Sequence, residues 1–395
     1  MDDGRKKTTS GRGLRWLLVA ILLALGVSLF VLQSLQQEGT RARNKLAGAE
    51  RYRPSQLDIE FGRGYEGAGW QLYFTEPSSI AARADYRGGI DSQLAKAIDE
   101  AQLSLDVAVF DLDNPTIAAA ILAAQERELA VRIVADDEHG LRNEDSDLLR
   151  ELRAAGLPII DDGRSSLMHN KFMILDGRTV WTGSMNYTIN GAYRHNNNVL
   201  ALDDARAVAA FQAEFDEMFL RREFGARSTD AGTQSFGLGT GEASITFGAE
   251  GDEIAAILKE INSARQSIHF MVFVFSLDEL ALAMLRQTEE HAVPVRGIFE
   301  RRGSLADWSV LPVLYCAGAE ARQDGNPNYL HHKVIIIDAA TVITGSFNFS
   351  KSAARGNDEN LLIIRHPEIA ALYLDEWRRQ WDSATRIREG TVDCG

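Results

Sequence analysis

The sequence predicts an α/β protein made of two copies of one unit. Three observations lead there: a gapless internal repeat, strands alternating with amphipathic helices around each copy, and a Gly/Ser/Thr-rich stretch between the copies. Residues 167–188 (LMHNKFMILDGRTVWTGSMNYT) align with 329–350 (YLHHKVIIIDAATVITGSFNFS), and ten of the 22 positions are identical. Self-similarity at a fixed offset is the signature of a duplicated structural unit.

The repeat extends on both sides. SQLAKAIDEAQLSLDVAVFDL (92–112) resembles AAILKEINSARQSIHFMVFVFS (255–276), each an amphipathic helix running into an apolar strand. LAVRIVAD (129–136) and VPVRGIFE (293–300) follow as second strands. The apolar runs after Lys171 and Lys333 read as buried strands. RHNNNVLAL (194–202) and RGNDENLLI (355–363) then lead into helical segments at 205–220 and 367–381. This alternation predicts layered α/β architecture with a largely parallel sheet. The expected divisions are a basic tail (1–15), a membrane anchor (16–35), a polar tether (36–65), a first domain (66–225), a linker (226–243) and a second domain (244–395).

The chain has 395 residues, 45% hydrophobic and 25% charged, with a formal net charge of −14. Residues 51–395 hold 34 Lys/Arg and 52 Asp/Glu, so the body carries −18. A body this acidic repels polyanions on average, which disfavours tight non-specific nucleic-acid binding. Trp16 to Leu32 is 17 residues without a charge, about 26 Å as a helix and near the lower limit for a bilayer span. Five basic residues precede it, and no small-x-small cleavage site lies close behind it. The favoured reading is an uncleaved signal anchor and single-pass transmembrane helix; the alternatives are a cleaved signal peptide or a buried helix. The positive-inside count ties, but Arg12 and Arg15 lie nearest the run. The tail is expected inside and the body outside the cytoplasmic membrane. Cys316, in a strand-like apolar run, and Cys394, near the chain end, could bond in an exported protein, but the favoured reading leaves them unpaired.

Both halves carry H-x-K-x4-D followed by G-S-x-N: His169, Lys171, Asp176, Gly183, Ser184 and Asn186, then His331, Lys333, Asp338, Gly345, Ser346 and Asn348. One such motif is a modest signal; two, correctly spaced in homologous halves, are strong. The pattern resembles the phospholipase D superfamily over roughly residues 65–385. Its wording is similar to the branch holding small bacterial nucleases and mitochondrial cardiolipin hydrolases. The resemblance implies two α/β sandwich domains related by pseudo-twofold symmetry, whose motifs meet at one central site without an obligatory oligomer.

The residue types suit phosphodiester chemistry. A neutral imidazole can attack phosphorus, and covalent catalysis divides a hard displacement into two easier ones. A second imidazole can protonate the leaving oxygen and later activate water. Lys171 and Lys333, with Asn186, Asn348, Ser184 and Ser346, are expected to hold the phosphate oxygens. The lysines supply positive charge, so no metal or other cofactor is expected. The resemblance leaves Asp176 and Asp338 evenly between chemistry and structure, and His332 and His195 are expected to be bystanders.

The copies differ at one position that bears on mechanism. Asn197 stands against Glu359, where the family places an acidic residue supporting the histidine of the opposite motif. Carried over crosswise, Glu359 holds His169 and Asn197 faces His331. A carboxylate fixes the tautomer of a nucleophilic imidazole and stabilises its cation. His169 is therefore the expected nucleophile and His331 the expected general acid/base. The expected activity is hydrolysis of a phospholipid headgroup diester to phosphatidate. Alternatives are an endonuclease, a phosphatidyl transferase and a non-catalytic binding protein. The transferase is disfavoured because neither S-x-N is followed by the Asp-x-Arg-Ser run of cardiolipin synthases.

Overall fold

The computed structural model describes residues 54–77, 86–227, 232–249 and 251–394. The expected tail and anchor lie outside them. Among the described residues, no helix is long and apolar enough to cross a membrane.

Each half builds a nine-stranded mixed sheet. The first has strands β1 Ser55–Leu57, β2 Arg63–Gly67, β3 Trp70–Phe74, β4 Ser104–Val109, β5 Ala130–Ala135, β6 Ile159–Asp161, β7 Lys171–Leu175, β8 Thr179–Gly183 and β9 Asn198–Leu202. Their order is β1-β2-β3-β9-β8-β7-β4-β5-β6. The second has β10 Gln234–Leu238, β11 Gly241–Phe247, β12 Ile268–Val272, β13 Val295–Phe299, β14 Glu320–Gln323, β15 Lys333–Ile337, β16 Thr341–Gly345, β17 Asn360–Arg365 and β18 Thr385–Arg386. Their order is β10-β11-β17-β16-β15-β12-β13-β14-β18, the same scheme but for the outermost strands.

The expectation of a largely parallel sheet is corrected. Only β4–β5–β6 and β12–β13–β14 run parallel, where helices Pro115–Glu126 and Asp278–His291 provide the first crossovers. The repeated motif itself forms a hairpin, β7–β8 and β15–β16. Three-residue turns cannot reverse direction and keep strands parallel. Two expected boundaries also move. The tether ends sooner, because β1 and β2 already pair in the first sheet. The linker is partly strand: Phe236 and Leu238 are buried at alternate positions of β10, which pairs with β11.

Strand parity explains the strands that are buried on both faces. On β7, Phe172 and Ile174 enter the core shared by the halves, while Met173 and Leu175 enter the first half's own core. On β15, Val334 and Ile336 face the shared core, and Ile335 and Ile337 the second half's own. Helices Ala205–Asp216 and Pro367–Ser383 contribute Phe211, Phe215, Tyr373 and Trp377 to the shared core. Burying this apolar surface on both halves at once fixes their relation.

The cysteine reading is corrected twice. Cys316 ends a short helix, Leu311–Cys316, and is bonded to Cys394. The bridge spans 78 residues of sequence and ties the C-terminal segment to the second half.

Candidate active site

The backbone brings the two histidines together. His169 N–H donates to the Asp358 carbonyl at 2.9 Å, and Asp358 N–H donates to the Leu167 carbonyl at 2.9 Å. The reciprocal pair is His331 N–H to the Asn196 carbonyl at 3.0 Å and Asn196 N–H to the Tyr329 carbonyl at 2.9 Å. Each histidine segment is thus pinned to the segment of the opposite half that carries its side-chain partner.

Those partners differ. Glu359 Oε2 accepts from His169 Nδ1 at 2.7 Å and from the Ser346 hydroxyl at 2.7 Å. His331 Nδ1 faces Asn197 Oδ1 and the Ser184 carbonyl, each at 3.0 Å. All these partners are acceptors, so Nδ1 of both rings carries the proton and Nε2 of each neutral ring keeps its lone pair.

The lysines follow the histidines on the same strand face. Lys171 Nζ reaches the His169 carbonyl, and Lys333 Nζ reaches the His331 carbonyl at 2.8 Å. Burial pushes the Lys171 ammonium down to about 7, despite the opposing charges of Glu359, Asp136 and Asp111. Burial and the nearby Lys171 ammonium hold Lys333 well below the ordinary lysine range. Burial also lowers His169 to about 4, with Glu359 opposing and Lys171 and Lys333 reinforcing. It lowers His331 strongly as well, reinforced by Lys333, His195, Lys171 and His169. Four cation-forming groups crowd one water-poor site, and an entering anion relieves their mutual repulsion.

The remaining expected site residues divide. Ser184 and Ser346 are fully buried and hold the opposite histidine's partner, Asn197 or Glu359, so their hydroxyls do not point at a phosphate. Their oxygens also accept the N–H of Asn198 and Asn360. Gly183 (φ +152°) and Gly345 (φ +137°) are required by this turn, because an added Cβ would meet the Asn198 or Asn360 carbonyl at 2.3 or 2.2 Å. Asn186 and Asn348 differ from the serines: among the described residues their buried Oδ1 atoms have no hydrogen-bond partner.

Asp176 and Asp338 are not in the site. Each lies past the far end of a five-residue strand, about 17 Å along the chain from its lysine. Asp176 accepts the backbone N–H groups of Gln102, Leu103 and Ser104; Asp338 accepts those of Arg265, Gln266 and Ser267. Both adopt left-handed backbone, at φ +54° and +53°, which aspartate tolerates better than most residues. Their work is to join the first helix of each half to its first core strand.

His332 is fully buried on the opposite side of its strand, 3.1 Å from Asn198 Nδ2 and 3.5 Å from Glu376. It belongs to the polar seam between the halves, where Asn170 of the first copy bonds Glu214 and Asn360. His195 lies nearer the chemistry than expected, its ring 5.8 Å from that of His331 and 4.9 Å from Tyr329.

One pair of residues was missed, and a second, Asp136 and Glu300, stands at strand ends where charges read equally as pocket rim or as ordinary loop residues. Phe110 and Phe273 lie against the histidine rings at 4.9 and 4.7 Å and beneath the lysine ammonium groups at 4.6 and 4.9 Å. They occupy matching places in the repeated V-F that ends β4 and β12, so extending the repeat position by position would have found them. Asp136 and Glu300 accept the N–H just before each histidine, from Met168 at 3.1 Å and Leu330 at 2.7 Å. Their signal was an acid closing the second strand of both copies. A cavity of about 600 Å3 is lined by Tyr86, Arg194, Asn326 and Arg379 and by none of the histidines or lysines above.

A family model described as "Cardiolipin synthase, PLD-like domain" matches residues 94–219 and again 257–381. The chain belongs to the phospholipase D-like family. Both matches enclose a complete motif. Mitochondrial cardiolipin hydrolase of Xenopus laevis is 34% identical over 128 residues, covering 32% of this chain and 60% of the relative. A phospholipase D of Rickettsia bellii is 38% identical over 121 residues, covering 31% and 60%. This phospholipase D-like chain thus spans about three-fifths of those relatives' length. The crystal structure of phosphatidylserine synthase from Haemophilus influenzae superposes with a TM-score of 0.59 at 15% identity, covering 88% of this chain and 91% of the other, which is a likeness of fold.

Proposed function

We propose that the chain is a phosphodiesterase of phospholipase D type that hydrolyses a phospholipid headgroup diester to phosphatidate through a phosphohistidine. The observation carrying this is the crosswise unequal pair, His169 on Glu359 and His331 on Asn197. Nε2 of neutral His169 attacks phosphorus, the bond to the headgroup oxygen breaks, and His331 donates its proton to that oxygen. Neutral His331 then takes a proton from water, whose oxygen displaces His169. Glu359 stabilises the imidazolium-like phosphohistidine, whereas His331, lacking a carboxylate, gives up its proton readily. The substrate's negative charge offsets the lysines that hold His331 deprotonated, so the acid becomes charged as substrate binds. Lys171, Lys333, Asn186 and Asn348 hold the non-bridging oxygens.

A lipid substrate is supported by the acidic body, the apolar run at 16–32 and the names of the curated relatives. The run is read as a single-pass anchor with the body outside the cytoplasmic membrane; the Cys316–Cys394 bond suits an oxidising compartment. A nuclease reading is favoured by one feature, the aromatic wall of Phe273, Tyr329 and His195 beside His331, since rings of this kind stack on bases. The full chain in mixed micelles, given phosphatidylcholine, cardiolipin and single-stranded DNA with and without a chelator, separates the readings. Chelator-insensitive release of phosphatidate is expected. DNA cleavage without phosphatidate would transfer the assignment to the nuclease, and abolition by chelator would overturn the mechanism.

A further inference from the structure

The two rims of the site are chemically opposite. After β5, residues 137–147 (DEHGLRNEDSD) hold five acids and one arginine. After β13, residues 301–310 (RRGSLADWSV) hold two arginines and one acid. This second loop also exposes large apolar side chains: Leu305 is 39% and Trp308 49% exposed, with Val313 at 46% on the helix that follows. Other exposed leucines, such as Leu103 and Leu220, are isolated on other segments.

The loop is fixed to the strand ends that form the site. Arg301 N–H donates to Asp324 at 2.8 Å, Gln323 Nε2 to the Ser304 hydroxyl at 2.8 Å, and Val310 N–H to the Phe275 carbonyl at 3.1 Å. Arg302 lies 4.5 Å over the Tyr329 ring, two residues before His331. An apolar tip is therefore held beside the segment that carries His331, with the Arg302 guanidinium donating to the Pro327 and Asn328 carbonyls and Arg301 exposed next to it. A half-exposed tryptophan next to arginines matches the chemistry of a lipid–water interface, where the indole enters the headgroup layer and the cations meet anionic phosphates.

We propose that the 301–310 loop docks the site onto a bilayer surface containing anionic lipid, with Leu305 and Trp308 entering the headgroup region. The inference rests on the lipid reading above and adds which edge of the site meets the membrane. It also gives a purpose to an anchor and tether that alone would leave orientation open.

The test uses the full chain reconstituted into vesicles. Cys316 and Cys394 are bonded, so a cysteine introduced by Ala306→Cys takes a polarity-sensitive fluorophore selectively; Gln102→Cys, beside Leu103 at the opposite strand end, is the control. In phosphatidylglycerol vesicles the probe at 306 is expected to shift to the blue and be quenched by nitroxide lipids, while the probe at 102 stays unquenched. Leu305→Ser/Trp308→Ser is expected to lower turnover of vesicle lipid at least tenfold and leave hydrolysis of soluble bis(p-nitrophenyl) phosphate unchanged. An unquenched probe at 306, or undiminished vesicle turnover in the double variant, would overturn the docking assignment. Failure of the unsubstituted chain to hydrolyse the soluble diester would instead overturn the enzymatic reading and leave the quenching result to judge the docking separately.

Discussion

The two copies of the motif share a hairpin, a lysine, a serine and a phenylalanine wall, yet they give their histidines different neighbours. His169 donates to a carboxylate that also receives Ser346, whereas His331 meets a neutral amide and a carbonyl. Duplication supplied two near-equal imidazoles, and one Asn/Glu difference gives them different partners, on which the proposed division of their work rests. Glu359 favours the positively charged form of its ring; Asn197 does not.

Substituting the histidines should show that division most strongly. His169→Ala is expected to abolish turnover of every diester. His331→Ala is expected to cost about 10²–10⁴-fold on a lipid headgroup, in line with loss of general acid–base catalysis. On bis(p-nitrophenyl) phosphate, whose leaving group needs no proton, His331→Ala should lose far less. Equal losses on both substrates would remove the distinction between the rings.

Moving the carboxylate is the next test. Glu359→Gln is expected to lower kcat by roughly 10²–10⁴-fold with little change in KM, because a misoriented imidazole binds but does not attack. Adding Asn197→Asp should shift phosphorylation toward His331. That change has a structural cost, since Asn197 Nδ2 now donates to the Gly191 carbonyl at 2.9 Å, and a carboxylate there would lower stability by about 1–3 kcal/mol.

A smaller effect is expected at the strand ends. Asp176→Ala removes acceptors for three N–H groups and should lower stability by about 1–2 kcal/mol, as loss of a cap does, without changing kcat. A fall in kcat at unchanged stability would return Asp176 to the chemistry.

A separate effect is expected with pH. His169 and His195 lie near 4, against about 6.5 in an unfolded chain. Between those values the unfolded chain binds more protons, so stability should fall as pH drops from about 6.5 to 4 and level off below. Lys171 near 7 adds a ligand effect. It is charged below 7, so binding of tungstate as a phosphate mimic should weaken as pH rises from 6 to 8, by at most about tenfold per unit for one proton. Calorimetry from pH 4 to 8 tests both.

The crosswise pairing of His169 with Glu359 and His331 with Asn197 was legible because the motif is repeated. Two copies show which histidine matters, His331 and not His332, and expose Asn197 against Glu359. Asp176 and Asp338 were harder to place because invariance between copies does not distinguish a turn from a catalyst; only the left-handed backbone and the N–H groups they accept do so. The serines misled for a related reason, since a hydroxyl beside a catalytic strand can serve the histidine's partner instead of the substrate. Sheet direction was misjudged where a tight hairpin occupied the place of an expected crossover, and the cysteine pair joins residues that only the tertiary fold brings together.

The central claim is that His169, the ring held by Glu359, becomes covalently bonded to phosphorus. Rapid acid-free quenching during turnover of bis(p-nitrophenyl) phosphate, followed by digestion and mass spectrometry under alkaline conditions, reads the modified residue directly. The account predicts a phospho-adduct on the peptide containing His169 and none on that containing His331. An adduct on His331 alone would contradict it.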